Sequence, residues 1–170
     1  MSGTHDGPGE LSPAVVDVIH RIVTDPGRLS RSWYEGDRAK AMDEGPYVEL
    51  IGVVVSVTAL DVFARGIGVA PAALPEAEPG APSQECPETR PDGAWVPLVP
   101  LQEGQFMPYI GRALSSVPAE WRNLGQLAEP HYMALHHVPD PHYETPGRAI
   151  DRLQMELVAS RVSKLNDCFY

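Results

Sequence analysis

The chain has 170 residues, 43% of them hydrophobic, and a formal net charge of −10. This length fits one globular domain, and the acidity argues against a basic surface for nucleic-acid phosphates or anionic lipid headgroups. The two cysteines, Cys86 and Cys168, lack the spacing of a secreted disulfide scaffold, and the polar N-terminus lacks the apolar segment of a signal peptide. We therefore expect a cytoplasmic protein that binds neither nucleic acid nor membrane.

The first predicted helix spans residues 13–24. Ser12 suits the N-cap position and Pro13 the first helical position, and apolar residues then recur at helical spacing. The residues before Ser12 are polar and rich in glycine, which predicts a disordered tail over residues 1–11. A first helical unit is expected over residues 12–69.

The second predicted helix, residues 47–65, is the most apolar stretch of the chain. Its many β-branched residues suit a strand, but its length favours a helix that is buried on most sides. The uninterrupted apolar run, residues 50–60, is too short to cross a membrane, so we expect the helix to be buried within protein.

A proline-rich connector is expected over residues 70–105. Eight prolines lie between residues 70 and 100, and proline excludes both helix interiors and the interior of a sheet. Trp95 and its apolar neighbours favour a segment that packs on the surface, because a free linker seldom carries such groups. Cys86 has the acidic neighbour Glu85 and is expected to be unreactive.

The second helical unit is expected over residues 106–170, beginning with a helix at 118–129. A loop rich in potential metal ligands follows it, containing His131, His136, His137, Asp140, His142 and Glu144. Imidazoles and carboxylates are common ligands of zinc and iron. Their spacing, however, matches neither a helical His-x-x-x-His pair nor His-Glu-x-x-His. We therefore predict a polar loop and no metal site.

The last predicted helix spans residues 148–165, where apolar residues recur at spacings of three and four. Asn166 and Asp167 are poor in helix interiors and good as N-caps, so one helix should end there and another begin. Cys168 would then lie in the first turn of the new helix. Backbone N–H groups directed at its sulfur would stabilise a thiolate, which is the setting of a reactive cysteine.

This last segment resembles a known family signature. Glu156, eleven intervening residues and then Asn-Asp-Cys-Phe-Tyr resemble the front half of the alkylhydroperoxidase D / carboxymuconolactone decarboxylase signature. That signature reads Glu, eleven residues, Cys-x-x-Cys, three residues, His, and the segment ELVASRVSKLNDCFY is similar to the peroxidase-related branch. The resemblance implies that Glu156 is a proton-relay carboxylate and Cys168 the first cysteine of a redox pair. Tyr170 takes the place between the cysteines where some members carry a histidine.

The resemblance also implies a geometry. Along one straight helix, Glu156 and Cys168 would lie about 18 Å apart, so the two can meet only if the chain turns at residues 166–167. The second cysteine of the motif would fall one position after Tyr170, where the sequence stops. We therefore expect these residues to be a fragment of a longer protein.

The sequence predicts an all-α protein with a long proline-rich irregular connection, and the resemblance implies an alkylhydroperoxidase D-like helical bundle. The resemblance implies a thiol-dependent alkyl hydroperoxidase that forms a homo-oligomer and needs no cofactor. Its partners would be a small peroxide and a thiol or dihydrolipoyl-type electron donor. Two alternatives stay open: a carboxymuconolactone decarboxylase-like lyase, in which Glu156 and the histidines perform acid–base chemistry, and a non-catalytic helical module that completes a partner's site.

Overall fold

The computed structural model describes residues 5, 7, 9–76, 79–81, 83–166 and 168. Within these residues the regular structure is helical, apart from an isolated antiparallel bridge between Arg90 and Leu98, so the predicted all-α class is confirmed. The helices are α1 (Pro13–Thr24), α2 (Arg31–Trp33), α3 (Ala39–Ala41), α4 (Glu44–Gly66), α5 (Tyr109–Arg112), α6 (Pro118–His131) and α7 (Arg152–Leu165). A π-helical turn, Tyr34–Arg38, joins α2 to α3, and 3₁₀ turns lie at Pro26–Arg28 and Leu135–His137.

The four long helices lie where the sequence predicts them, but several boundaries differ: α4 begins three residues earlier and ends one residue later than predicted, and α6 ends two residues later. At the start of α1, Ser12 accepts the N–H of Val15 at 3.4 Å, as expected of an N-cap. The last helix begins at Arg152, four residues later than predicted. Asp151 is the reason, because its side chain accepts the N–H of Gln154 while the Gln154 side chain accepts the N–H of Asp151.

The core lies where α4 packs against α1, the α2–α3 segment and the residues before α6. Its most buried members are Val18, Trp33, Tyr34, Tyr47, Val48 and Leu114. Further along α4, Gly52 lies against the side chain of Glu120 on α6, and a Cβ at position 52 would clash with that side chain. At this position α4 and α6 therefore pack closely against each other.

The proline-rich connector has no helix among its described residues, and its second half packs on the helices. Leu98 is fully buried, and the ring of Trp95 lies 5.9 Å from that of Tyr34. At the other end of the chain, His5 stacks on His20 of α1 with ring centroids 3.9 Å apart. The described part of the predicted tail therefore contacts the first helix.

Helix α4 is longer than the apolar run that marks it in the sequence. The helix has 23 residues, and the mean hydropathy of its most apolar stretch is 1.9. By length and composition alone, it could therefore cross a membrane. Core helices of soluble proteins can be equally long and apolar. Only 22% of this stretch is buried, and its exposed apolar residues include Val53, Leu60, Val62 and Phe63. The expectation that the helix is buried on most sides is therefore wrong for the single chain.

Candidate functional site

Glu156 lies in a polar triad with Tyr132 and Arg152 at the junction of α6 and α7. Its Oε1 accepts a very short hydrogen bond from the hydroxyl of Tyr132 and lies 2.8 Å from Nε of Arg152. The Nε–H is buried and is not directed at an acceptor, so the contact with Arg152 is an ion pair and not a hydrogen bond. The Arg152 side chain is 13% exposed and that of Glu156 is 40% exposed, which leaves the carboxylate in contact with solvent.

Local sequence explains why the triad forms. Arg152 and Glu156 are four residues apart on α7 and therefore lie on the same face. Tyr132 is the residue at which α6 ends, and its N–H donates to the carbonyl of Ala128. The guanidinium of Arg148 donates to carbonyls at the C-terminal end of α6, which ties the loop before α7 to that helix.

The electrostatics of the triad keep Tyr132 protonated. Burial, followed by the hydrogen bond to Glu156, raises the pKa of Tyr132 to about 12. The phenol is therefore a hydrogen-bond donor throughout the physiological pH range. Arg152 also donates to the carbonyl of Val138 at 3.1 Å, so its cation is fixed beside the carboxylate. The triad combines a fixed donor, a carboxylate and a fixed positive charge.

Tyr132 also lines a small polar cavity of about 220 Å³. Other residues of its wall are His136, His137, Tyr143 and Arg148. The ring of His137 stacks on Tyr143 with centroids 3.8 Å apart, and its centroid lies 3.9 Å from that of His136. Tyr132 therefore joins this cavity to Glu156. In the described part of the chain, no three His, Cys, Asp or Glu residues are grouped so as to hold a metal ion.

Cys168 lies at the far end of α7. The helix ends at Leu165 with Asn166 as its C-cap, at the position where the sequence predicts a break. Cys168 is exposed, and its N–H donates to the carbonyl of Ser163 at 2.9 Å. This bond ties the backbone of Cys168 to the C-terminal turn of α7, where the carbonyl groups carry partial negative charge. The predicted second helix includes Asp167, which like Tyr170 lies outside the described residues.

The described contacts of Glu156 are with Tyr132 and Arg152, not with Cys168. Helix α7 runs without a break from Glu156 to Leu165, a distance of about 14 Å along its axis. Any approach of the two predicted site residues would therefore depend on the path of the chain after Asn166.

Comparison with protein-family models, curated proteins and solved structures finds no match for this chain. The resemblance to the alkylhydroperoxidase D superfamily therefore rests on residues 156–170. It stays a prediction.

Proposed function

We propose that the chain belongs to a thiol-dependent hydroperoxidase of the alkylhydroperoxidase D type. The observation that supports this proposal is the position of Glu156. The carboxylate that the resemblance marks as a proton relay is, in the described part of the chain, the one glutamate that accepts a hydrogen bond from a phenol and also pairs with a guanidinium. Such an environment suits a group that exchanges protons with a reacting thiol and a leaving alkoxide.

The chemistry consumes two thiols for each hydroperoxide. A thiolate attacks one oxygen of the O–O bond, the bond breaks, and the alkoxide takes a proton to leave as an alcohol. The resulting sulfenic acid condenses with a second thiol, which forms a disulfide and releases water. In the cycle implied by the resemblance, the second cysteine of the motif attacks and Cys168 completes the disulfide, with Tyr170 between them. A thiol or dihydrolipoyl-type donor then reduces the disulfide, in the cytoplasm and without a cofactor.

Glu156 would supply the proton that the alkoxide needs and recover one from the attacking thiol. Tyr132 would orient the carboxylate through its hydroxyl, and the guanidinium of Arg152 would hold it in place through the ion pair.

We also propose that the protein is a homo-oligomer. Apolar side chains project from α4 and α7 into solvent, among them Val62, Phe63, Leu153, Leu157 and Leu165. Contiguous exposed apolar surface commonly marks an interface between protein chains. A subunit interface over these helices would bury it, which gel filtration with light scattering would detect as a mass above that of one chain.

The test is peroxide consumption by the whole encoded protein, with cumene hydroperoxide as substrate and dihydrolipoamide as donor. We expect Cys168→Ser to abolish turnover and Glu156→Gln to lower kcat by about 10²-fold, the usual effect of losing a general acid–base group. Cys86→Ser and Glu144→Gln are matched controls, because both residues are exposed and lie outside the triad.

Full turnover by Cys168→Ser would contradict the proposal. If that variant also decarboxylated carboxymuconolactone, the lyase alternative would replace it. A stable complex with a partner and no turnover of either substrate would indicate a non-catalytic module.

A further inference from the structure

Helix α7 is attached to the rest of the chain along one side only. Met155 is its one buried residue, and the half-buried Arg152, Glu156, Ala159 and Ser163 lie on the same face. The other half of the helix carries five large apolar side chains, each between 51% and 78% exposed: Leu153, Leu157, Val158, Val162 and Leu165. A helix of 14 residues has little stability of its own in water, so burial of this half would stabilise it.

The charges of α7 are complementary to those of a second, antiparallel copy. Asp151 lies at the start of the helix, Arg161 and Lys164 lie in its second half, and all three are exposed. None of the three has an ion-pair partner in the described part of the chain. An antiparallel pair places the acidic start of each helix beside the basic end of the other and opposes their dipoles. A parallel pair would instead place like charges together.

Cys168 lies at the basic end of α7. Its N–H donates to the carbonyl of Ser163 at 2.9 Å, which keeps its backbone beside the last turn. Within one chain, about 14 Å of helix separates Glu156 from that end.

A second copy of α7 removes this separation. If an antiparallel pair covers the apolar half over its full length, Leu165 of one chain lies beside Leu153 of the partner subunit. Leu153 and Glu156 are only about 4.5 Å apart along the axis. The axes of packed helices lie about 8–10 Å apart, a distance that side chains from the two helices span.

We propose that two copies of this chain pair through α7 in antiparallel orientation, so that Cys168 of one copy lies beside Glu156 of the other. The carboxylate can be reached from outside its own chain, because the Glu156 side chain is 40% exposed. The catalytic consequence rests on the proposed thiol chemistry, whereas the pairing itself does not.

The pairing would complete the site at the step in which the disulfide forms. Glu156 of one copy would take the proton of the Cys168 thiol in the other. The thiolate then attacks the sulfenic acid of the second cysteine of the motif, and the S–O bond breaks. The departing hydroxide recovers the proton from Glu156 and leaves as water. Each site therefore needs groups from both copies.

Combining two impaired variants tests the shared site. Chains of the whole encoded protein with Glu156→Gln and with Cys168→Ser would be co-expressed in equal amounts and assayed with cumene hydroperoxide and dihydrolipoamide. Random pairing leaves both groups intact in about one site of every four, so we expect about a quarter of the unsubstituted activity. If the unsubstituted protein is active and the mixture is no more active than the two separate variants, the shared site is refuted.

Engineered disulfides test the pairing independently of catalysis. In a background with every native cysteine replaced by serine, Leu153→Cys combined with Leu165→Cys should give a cross-linked dimer under mild oxidation. Within one chain these positions are about 18 Å apart, far beyond the roughly 7 Å that a disulfide can bridge, so the bond must join two copies. Leu153→Cys alone should cross-link much less, because it lies opposite Leu165 in the antiparallel pair.

Leu74→Cys combined with Leu165→Cys is the matched control, since Leu74 is exposed and lies outside α7. Circular dichroism would establish that each variant is folded. A monomeric mass by light scattering, or equal cross-linking by Leu153→Cys alone, would overturn the pairing whether or not the protein reduces peroxide. Cross-linking by the double variant in a protein without peroxidase activity would support the pairing and refute the proposed function.

Discussion

Two tyrosine–glutamate hydrogen bonds in this molecule have the same chemistry and different surroundings. Tyr34 donates to Glu44 at 3.0 Å, and Tyr132 donates to Glu156. Burial, followed by the hydrogen bond to the glutamate, raises the pKa of each phenol to about 12. By electrostatics alone, neither pair stands out from the other.

Their neighbours distinguish them. Tyr34 is 3% exposed and lies among other rings, with centroids 5.6 Å away in Tyr47 and 5.9 Å away in Trp95. Tyr132 instead lines a cavity, and its partner carboxylate reaches solvent. A raised pKa beside a carboxylate therefore does not identify a functional site in this chain. Access for a small molecule is the feature that separates Tyr132 from Tyr34.

The largest expected difference between the two tyrosines is in the free energy of unfolding that is lost when each is replaced by alanine. Tyr34→Ala removes an aromatic side chain from the centre of the core, so we expect it to lower the free energy of unfolding by about 3–5 kcal/mol. Tyr132→Ala removes a ring that is only partly enclosed, and the expected loss is about 1–2 kcal/mol. Urea unfolding followed by circular dichroism measures both values.

A control for these variants should change an exposed residue that makes few contacts. Tyr109 is exposed but makes contacts of its own, so Tyr109→Ala is unsuitable. Val57→Ala, at an exposed position on α4, is the better reference for a change on the surface. Equal losses for Tyr34→Ala and Tyr132→Ala would show that Tyr132 is as much a core residue as Tyr34.

Removing only the hydroxyl group of each tyrosine should change the activity at one site and not at the other. If Tyr132 orients the Glu156 carboxylate, Tyr132→Phe should lower kcat for cumene hydroperoxide by about tenfold, the effect of losing one hydrogen bond in the reacting state. Tyr34→Phe loses the same group at the other site and should leave kcat unchanged. Equal rates for Tyr132→Phe and the unsubstituted protein would limit Tyr132 to a structural role.

The long helices could be predicted from the sequence because their signals are local. Ser12 and Pro13 mark the start of α1, and the apolar run marks α4 although the helix extends beyond it. The start of α7 was misplaced because apolar periodicity begins at Ile150, whereas the reciprocal hydrogen bonds of Asp151 and Gln154 set the boundary. A capping box is a local signal, and reading it would have given the correct start.

The candidate site was less predictable because its contacts join distant parts of the chain. Arg152 and Glu156 are spaced as a helical ion pair, and that contact could have been read from the sequence. Tyr132 could not, since it is 24 residues from Glu156 and lies in a segment noted only for its histidines. The contacts of Arg112 and Ser115 with Val99 could not be predicted either, because they form only when the connector packs on the helices.

The smallest expected effect is a dependence of stability on alkaline pH, to which both tyrosines contribute. An unfolded tyrosine has a pKa of 10.0, and the folded values of Tyr34 and Tyr132 are about 12. Between these values the folded protein binds more protons than the unfolded chain, so this stabilisation is complete below pH 10 and is lost as the pH rises through 12. Tyr47, whose pKa is also raised by burial, adds to the same trend.

Urea unfolding at several pH values between 10 and 12 should give a free energy of unfolding that declines with pH. Tyr34→Phe and Tyr132→Phe should each make this decline shallower. A flatter curve for Tyr34→Phe alone would mean that Tyr132 has the same pKa in the folded protein as in the unfolded chain. Tyr132 would then not be a fixed hydrogen-bond donor to Glu156.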